Sequence, residues 1–188
     1  ETARLLDVLE EQTNRLSDLV GDLLALTNLD ELERSESIDV AQLLSRTAES
    51  LEELAREHRV SVRLETAPGI VPGNRTLLER AFFNLVENAI KYNRPDGTVT
   101  IRTACEDSEF RVEVADQGIG IPQEFREQIF EPFFRVDKSR SRQLGGAGLG
   151  LPLVRTVARL HGGRVWAEDA PDGGTRFVMT LPPEKQPL

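Results

Sequence analysis

Leucines recur at a heptad spacing through the first part of the chain. The repeated positions alternate in steps of four and three residues and are Leu5, Leu9, Gln12, Leu16, Leu19, Leu23 and Leu26. This period is typical of a helix that packs along one seam of a coiled coil. Leu6, Val20 and Leu24 widen the stripe, which favours a four-helix bundle. We therefore predict that residues 1–30 form one long helix packed on others; a helix of an ordinary domain core is the alternative.

Beyond this helix the pattern changes to interleaved helices and strands. A charged stretch at 30–37 is interpreted as a linker, and Asp39 with Gln42 resembles the capping box of a following helix. The predicted helices cover about 39–55, 75–92 and 149–161, and the predicted strands cover 60–64, 98–105, 110–115 and two segments around the turn at 171–174. Pro122 is expected to start a further short helix inside a glycine-rich stretch. This order predicts an α+β fold, a two-layer sandwich of about three helices on a mixed, largely antiparallel sheet.

Composition removes several classes of protein from consideration. The chain of 188 residues has a formal net charge of −9, so we expect no nucleic acid partner. The single cysteine, Cys105, excludes an intramolecular disulfide, and it ends an alternating run from Val99 that predicts a core-facing position. No apolar run approaches the roughly 20 residues needed to span a bilayer. The chain begins at Glu1 inside a helical pattern, which indicates a piece of a larger protein.

Three polar side chains share one face of the predicted helix at 75–92. Asn84, Asn88 and Lys91 are spaced by four and three residues, while most of the other positions are apolar. Burying two amides and an ammonium is costly unless they are paired. A phosphate chain with a divalent cation would pair all three, because Mg²⁺ accepts neutral oxygen ligands and lysine binds phosphoryl oxygens. An exposed polar face remains the alternative at this point.

Glycine-rich motifs follow at three places. Asp116 opens a DQGIG segment directly after a strand, where its carboxylate is suited to accept a hydrogen bond from an exocyclic amine. The segment 145–151 precedes a helix, so its backbone N–H groups predict an anion site, and it lacks the Gly-Lys-Ser/Thr of a Walker loop. At 173–175, Thr175 is a candidate for contact with a base. Each motif alone is also compatible with an ordinary turn.

Together, in this order, the motifs resemble those of sensor histidine kinases. The matching segments are NLVENAIKY at 84–92, DQGIG at 116–120, FEPFFR at 130–135, GAGLGL at 146–151 and GGT at 173–175, which resemble the N, G1, F, G2 and last glycine boxes. The resemblance covers about residues 36 to 182. It implies the Bergerat-type ATP-binding sandwich shared with gyrase, Hsp90 and MutL, with ATP and Mg²⁺ as ligands.

The resemblance also implies a role for each matching residue. Asn88 would bind Mg²⁺, Asn84 and Lys91 would hold phosphates, and Arg135 would reach the γ-phosphate. Tyr92 would lie against the adenine and Asp116 would accept from its amino group. The implied catalytic residues are Asn84, Lys91 and Arg135, and the remaining ATP-binding positions are Gly118, Gly120, Gly146, Gly148, Leu149, Gly150 and Thr175. Residues 131–146 would form a mobile ATP lid.

Position 84 bears on the fate of the phosphoryl group. ATP-hydrolysing relatives carry a glutamate there as general base for water, whereas this chain carries Asn84. Glu87 lies one turn away and is predicted to face elsewhere. We therefore expect transfer to a side chain rather than to water.

The acceptor histidine of the family is missing from this chain. His58 and His161 each close a predicted helix, a position that favours histidine electrostatically, and neither has the sequence context of an acceptor. Residues 1–33 resemble the second helix of a dimerisation stem and 34–188 the catalytic domain, so this fragment alone is not expected to autophosphorylate. The resemblance implies a homodimer through the stem, a response regulator receiver domain as partner, and a cytoplasmic domain of a protein anchored in a membrane by upstream segments.

Two other functions stay open from the sequence. One is a serine-directed anti-sigma kinase or a hydrolytic ATPase of the same fold. The other is a nonenzymatic dimerisation and docking module that keeps a vestigial pocket.

Overall fold

The computed structural model describes residues 36–106, 109–136 and 148–184. The helices are α1 Val40–Ser50, α2 Glu52–Glu57, α3 Arg75–Lys91 and α4 Gly150–Leu160, and the strands are β1 Glu36–Asp39, β2 Ser61–Thr66, β3 Ile70–Gly73, β4 Thr98–Glu106, β5 Glu109–Ala115, β6 Arg164–Asp169 and β7 Thr175–Leu181. The predicted stem helix at 1–30 lies outside the described residues. So do Gly146 and most of the predicted lid.

A five-stranded sheet forms one layer of the fold, with the order β2-β4-β5-β7-β6. The pair β2 and β4 is parallel and the other three pairs are antiparallel, and β4 with β5 forms the expected hairpin. Along β5, buried and half-buried residues alternate, as expected for a strand with one face on the core. The structure thus confirms the α+β fold with a mixed, largely antiparallel sheet.

The second layer consists of helices, of which α3 is the longest. Asn74 caps its start, since the side-chain Oδ1 accepts a hydrogen bond from Leu77 N at 3.0 Å. Apart from Phe83, the apolar positions of α3 are fully or almost fully buried and are Leu77, Leu78, Ala81, Phe82, Leu85, Val86, Ala89 and Ile90. The predicted cap of α1 is confirmed, because Asp39 Oδ1 accepts from Gln42 N at 3.0 Å. This burial fixes α3 in the core, and Asn84, Asn88 and Lys91 form a half-buried polar strip beside it.

One local prediction was wrong and another was confirmed. The stretch at 36–37 is not a linker, because β1 pairs antiparallel with β3 in a separate two-stranded sheet that the sequence pattern did not reveal. This strand is too short for its own periodicity to decide its conformation, and long-range contacts decide it. The short helix predicted after Pro122 is present as the 3₁₀ segment Gln123–Phe125, and a second 3₁₀ segment, Gln128–Phe130, follows it.

Cys105 was also predicted wrongly, since its side chain is exposed. The alternation continues along β4, with Val99, Ile101 and Thr103 buried. Thr103 Oγ1 closes that row by accepting from Ala67 N at 2.7 Å and donating to Ala67 O at 2.9 Å. Beyond Thr103 the strand continues towards the hairpin turn, so Cys105 is exposed to solvent although the alternation places it on the core-facing side.

Candidate functional site

The polar strip of α3 carries the three residues that its periodicity predicted. Asn84, Asn88 and Lys91 are all half-buried. The amide of Asn84 is fixed, because Nδ2 donates to Arg80 O at 2.9 Å. The side-chain amide of Asn88 has no hydrogen bond within the part of the chain that the structure describes. A half-buried amide with this much freedom is suited to bind a ligand or a cation.

Lys91 has a partner that the sequence analysis assigned to a different face. Its Nζ donates to Glu87 Oε1 at 2.7 Å, and both side chains are mostly shielded from solvent. The expectation that Glu87 faces away from the strip was therefore wrong, because a lysine side chain reaches one turn back along the helix to the i−4 position. The lysine has three donors, so this bond leaves two for other acceptors.

Asp116 follows β5 and is only 4% exposed. Its Oδ1 accepts two backbone hydrogen bonds, from Gly118 N at 2.8 Å and from Thr175 N at 3.1 Å. Asp116 N in turn donates to Thr175 O at 2.8 Å. Burial raises the pKa of this carboxyl above its usual value, and the two backbone donors partly offset that rise. One oxygen is held in place from both sides, and the orientation of the other follows from it.

Gly118 brings the loop after Asp116 against the end of α3. A Cβ at this position would lie 2.0 Å from the backbone oxygen of Tyr92, a distance that no side chain tolerates. Ile119 N also donates to Tyr92 O, at 3.4 Å. Glycine is thus required by close approach rather than by its backbone angles. The approach sets Asp116 and Tyr92 on the same side of the sandwich.

The start of α4 meets α3 at Asn84. A Cβ on Gly150 would lie 2.3 Å from Asn84 Oδ1, so the first turn of α4 rests directly on the polar strip. No side chain caps this helix start, where Leu149 occupies the cap position. The free N–H groups of such a turn carry partial positive charge and bind anions. The predicted anion site and the predicted phosphate-binding amide are therefore adjacent.

The remaining predicted residues are placed less directly. Gly120 has a φ of 71° and lies near Gly174, whose own position is packed on Asp116. Gly148 has a φ of 74°, and its carbonyl accepts from Phe133 N at 2.9 Å, which ties the segment containing Arg135 to the start of α4. Arg135 itself is half-buried. The structure thus gathers backbone segments from four parts of the chain around α3.

Comparison with known proteins assigns the chain to a family. A family model described as the histidine kinase-, DNA gyrase B- and HSP90-like ATPases matches residues 73–185, well over half of the chain. The chain belongs to this ATPase family. Across the described residues of this ATPase domain, no helix is long and apolar enough to cross a membrane.

Individual relatives narrow the family to sensor histidine kinases. The domain is 36% identical over 191 residues to the sensor-like histidine kinase SenX3 of Mycolicibacterium smegmatis, covering 98% of this chain and 49% of SenX3. The solved structure of the mycobacterial sensor histidine kinase MprB is 31% identical with a TM-score of 0.70, covering 81% of this chain and 100% of that one. Full-length ShkA in complex with AMPPNP is 26% identical with a TM-score of 0.82, covering 98% of this chain and 39% of that one. The chain spans about half the length of SenX3.

His161 holds the two site helices of this kinase domain together. Its Nε2 accepts from Asn74 N at 3.0 Å, and its Nδ1 donates to Val157 O at 2.8 Å. The ring is 8% exposed, and it closes α4 while contacting the residue that caps α3. Burial lowers the pKa of the imidazole below its ordinary value. Sequence reasoning identified the helix end but missed the bond to Asn74, which no local pattern announces.

This contact predicts a dependence of stability on pH. A protonated ring cannot accept from Asn74 N, so the stabilisation is complete above the unfolded pKa of 6.5 and is lost as the pH falls through the lower folded pKa. The free energy of unfolding, measured with urea between pH 8 and pH 5, should fall as the pH falls. The fall should be smaller in His161→Gln, because glutamine keeps an acceptor and does not titrate in this range. Equal pH profiles for the two proteins would contradict the prediction.

Proposed function

We propose that this chain is the catalytic portion of a sensor histidine kinase that binds Mg·ATP and transfers the γ-phosphoryl group to a histidine outside this sequence. The observation that carries the proposal is the convergence of two segments, the loop after β5 and the start of α4, on α3. Gly118 rests on Tyr92 and Gly150 rests on Asn84, so a buried carboxylate and an uncapped helix start lie at the two ends of one polar strip. This spacing suits a ligand with a base at one end and phosphates at the other.

The base end is built around Asp116. Both described hydrogen bonds to this carboxylate go to Oδ1, which leaves Oδ2 for the amino group of adenine. Thr175, at the start of β7, supplies a backbone donor to the same carboxylate and stands beside the proposed base. Gly118 and Gly120 let the loop approach a flat ring, and Tyr92 provides an aromatic side chain next to it.

The phosphate end is built around the start of α4. The backbone of Gly148, Leu149 and Gly150, with Gly146 before them, would bind phosphoryl oxygens, and Asn84 and Lys91 would add side-chain donors. Asn88, whose amide has no hydrogen bond among the described residues, offers an oxygen that fits Mg²⁺. When bound there, Mg²⁺ would neutralise negative charge that develops on the phosphates during transfer. Arg135 would act on the γ-phosphate from the other side.

The chemistry then consists of positioning and charge stabilisation. The bond between the γ-phosphorus and the β–γ bridging oxygen breaks, a bond from phosphorus to an imidazole nitrogen forms, and ADP leaves with the electron pair. Asn84 is tied to Arg80 O and has no basic group to activate water. Glu87 is engaged by Lys91, so it is not assigned as the base either. This arrangement favours a side-chain acceptor over hydrolysis.

The proposal extends to the whole protein from which the chain comes. We assign residues 1–33 to the second helix of a dimerisation stem and 34–188 to the catalytic domain. We further propose that the protein forms a homodimer through that stem and that the phosphoryl group is relayed to an aspartate of a response regulator receiver domain. In this proposal the domain lies on the cytoplasmic side of a membrane, to which upstream segments anchor the protein. The names of SenX3 and MprB as sensor histidine kinases support this assignment.

Two measurements test the function. Calorimetry should show saturable binding of ATP with Mg²⁺, and no binding would favour a docking module with a vestigial pocket. The chain should then be joined to an upstream stem helix that carries a histidine followed by an acidic residue. Incubation with labelled ATP should give an acid-labile phosphohistidine. An acid-stable phosphoserine, or release of phosphate alone, would instead support the serine kinase or the ATPase.

A further inference from the structure

A groove runs between α1 and α3 on the side of the helix layer away from the sheet core. It encloses about 510 Å³ and is lined by Arg46 and Ser50 of α1 and by Thr76, Glu79, Arg80 and Phe83 of α3. We call it the α1–α3 groove. Arg80 touches the nucleotide site described above through its backbone oxygen, which accepts from Asn84 Nδ2, and the other five residues have no role there.

Phe83 gives the groove an apolar wall. Its side chain is 39% exposed, although most other apolar side chains of α3 are fully buried. An exposed aromatic ring flanked by polar residues and lying in a concave surface is typical of a contact site. Two arginines stand at this wall against one carboxylate, so the groove favours an apolar segment that carries negative charge.

The chain itself arrives at one end of the groove. Glu36 Oε2 lies 3.5 Å from Arg75 Nε, which sets the start of β1 beside the first turn of α3. Thr76 follows at once, and the groove extends from there to Phe83, about 10 Å along the helix axis. Residues 29–35 are long enough to follow the groove, whether they continue a helix at about 1.5 Å per residue or run extended at up to about 3.6 Å per residue.

The composition of residues 29–35 matches the groove. The segment reads LDELERS, with Leu29 and Leu32 as apolar positions, and its three acids outnumber the single base, Arg34. Its two leucines can bury apolar surface against Phe83, and its acids are complementary in charge to Arg46 and Arg80.

We propose that residues 29–35 dock in the α1–α3 groove of their own chain, with Leu29 and Leu32 against Phe83. Phe83 is followed directly by Asn84, so the docked segment would join the N-terminal helix to the helix that carries the polar strip. The proposal goes beyond the nucleotide chemistry and requires no nucleotide.

Thiol labelling of the full chain tests the docking. In a Cys105→Ser background, Ser50→Cys puts one thiol inside the groove, and Glu49→Cys puts a matched thiol on the exposed surface of the same helix. With the native segment, the Ser50→Cys thiol should react at least roughly tenfold more slowly than the Glu49→Cys thiol. Leu29→Ser with Leu32→Ser should abolish that difference, whereas Leu5→Ser with Leu9→Ser, the same change outside the proposed docking segment, should not.

Each other outcome overturns the proposal. Equal labelling of the two thiols with the native segment would mean that nothing covers the groove. Slow labelling that persists after both leucine changes would mean a different occupant, and a dependence of that labelling on protein concentration would identify it as a second copy. Because no arm contains ATP, the result is separate from the fate of the proposed kinase activity.

Discussion

Asp116→Asn should weaken ATP binding by about 10- to 100-fold while leaving the protein folded. Gly118 N and Thr175 N both donate to Oδ1, so they should hold the amide oxygen of the asparagine in the same place. The amide nitrogen then stands where Oδ2 stood, and it faces the amino group of adenine donor to donor. Isothermal calorimetry with ATP measures the loss.

Two further readouts separate this loss from unfolding. Burial raises the pKa of Asp116, so its ionisation at neutral pH costs folding free energy, and the neutral amide should leave stability equal or higher. The affinity for GTP should rise relative to the affinity for ATP, because guanine O6 can accept a hydrogen bond from the new amide nitrogen and adenine N6 cannot. Asp172→Asn, at an exposed turn position, controls for the change of charge. Unchanged ATP affinity in Asp116→Asn would show that the base binds elsewhere.

Asn88→Ala should lower phosphoryl transfer to a supplied stem histidine by about 10² to 10³-fold. The side-chain amide has no internal hydrogen bond in the described residues, so its loss should not disturb the domain, and alanine is the strongest helix former. The reason for the large effect is that Asn88 would supply an oxygen ligand to the Mg²⁺ that neutralises charge on the phosphates. Single-turnover labelling with ATP measures it.

The role of the cation gives this prediction its own control. Affinity for ATP in the presence of a chelator should be the same for Asn88→Ala and the parent chain, and only the gain on adding Mg²⁺ should be lost. Asn88→Asp keeps an oxygen ligand and should keep that gain. If Asn88→Ala lost affinity for ATP equally with and without Mg²⁺, the residue would bind the nucleotide itself rather than the cation.

Local patterns predicted part of the local structure correctly because they depend on neighbours along the chain. Asn84, Asn88 and Lys91 share a face since helical periodicity requires it, and the cap at Asp39 depends on a residue only three positions away. The prediction failed for Glu87, because a residue four positions before Lys91 lies on the same face of the helix and its carboxylate is within reach of the lysine. The prediction failed for Cys105 because alternation along a strand shows which face of the sheet a side chain is on, but not where the helices that cover that face end.

Other features arose only from contacts between distant segments. The strand β1 exists because β3 pairs with it, and neither is long enough to show a period of its own. The bond from Asn74 N to His161 Nε2 joins the start of one helix to the end of another. The α1–α3 groove belongs to two helices whose individual patterns reveal nothing of it.

The sequence by itself determined the α+β order of elements, the family, and the residue types available for a nucleotide, because hydrophobic period and motif order are properties of the linear chain. Tertiary structure alone decided that Gly118 lies on Tyr92 and Gly150 on Asn84, and hence where the proposed base and phosphates would lie. The reason is that these approaches depend on how the sheet and the helices pack, and packing is a balance over the whole core that no single segment encodes.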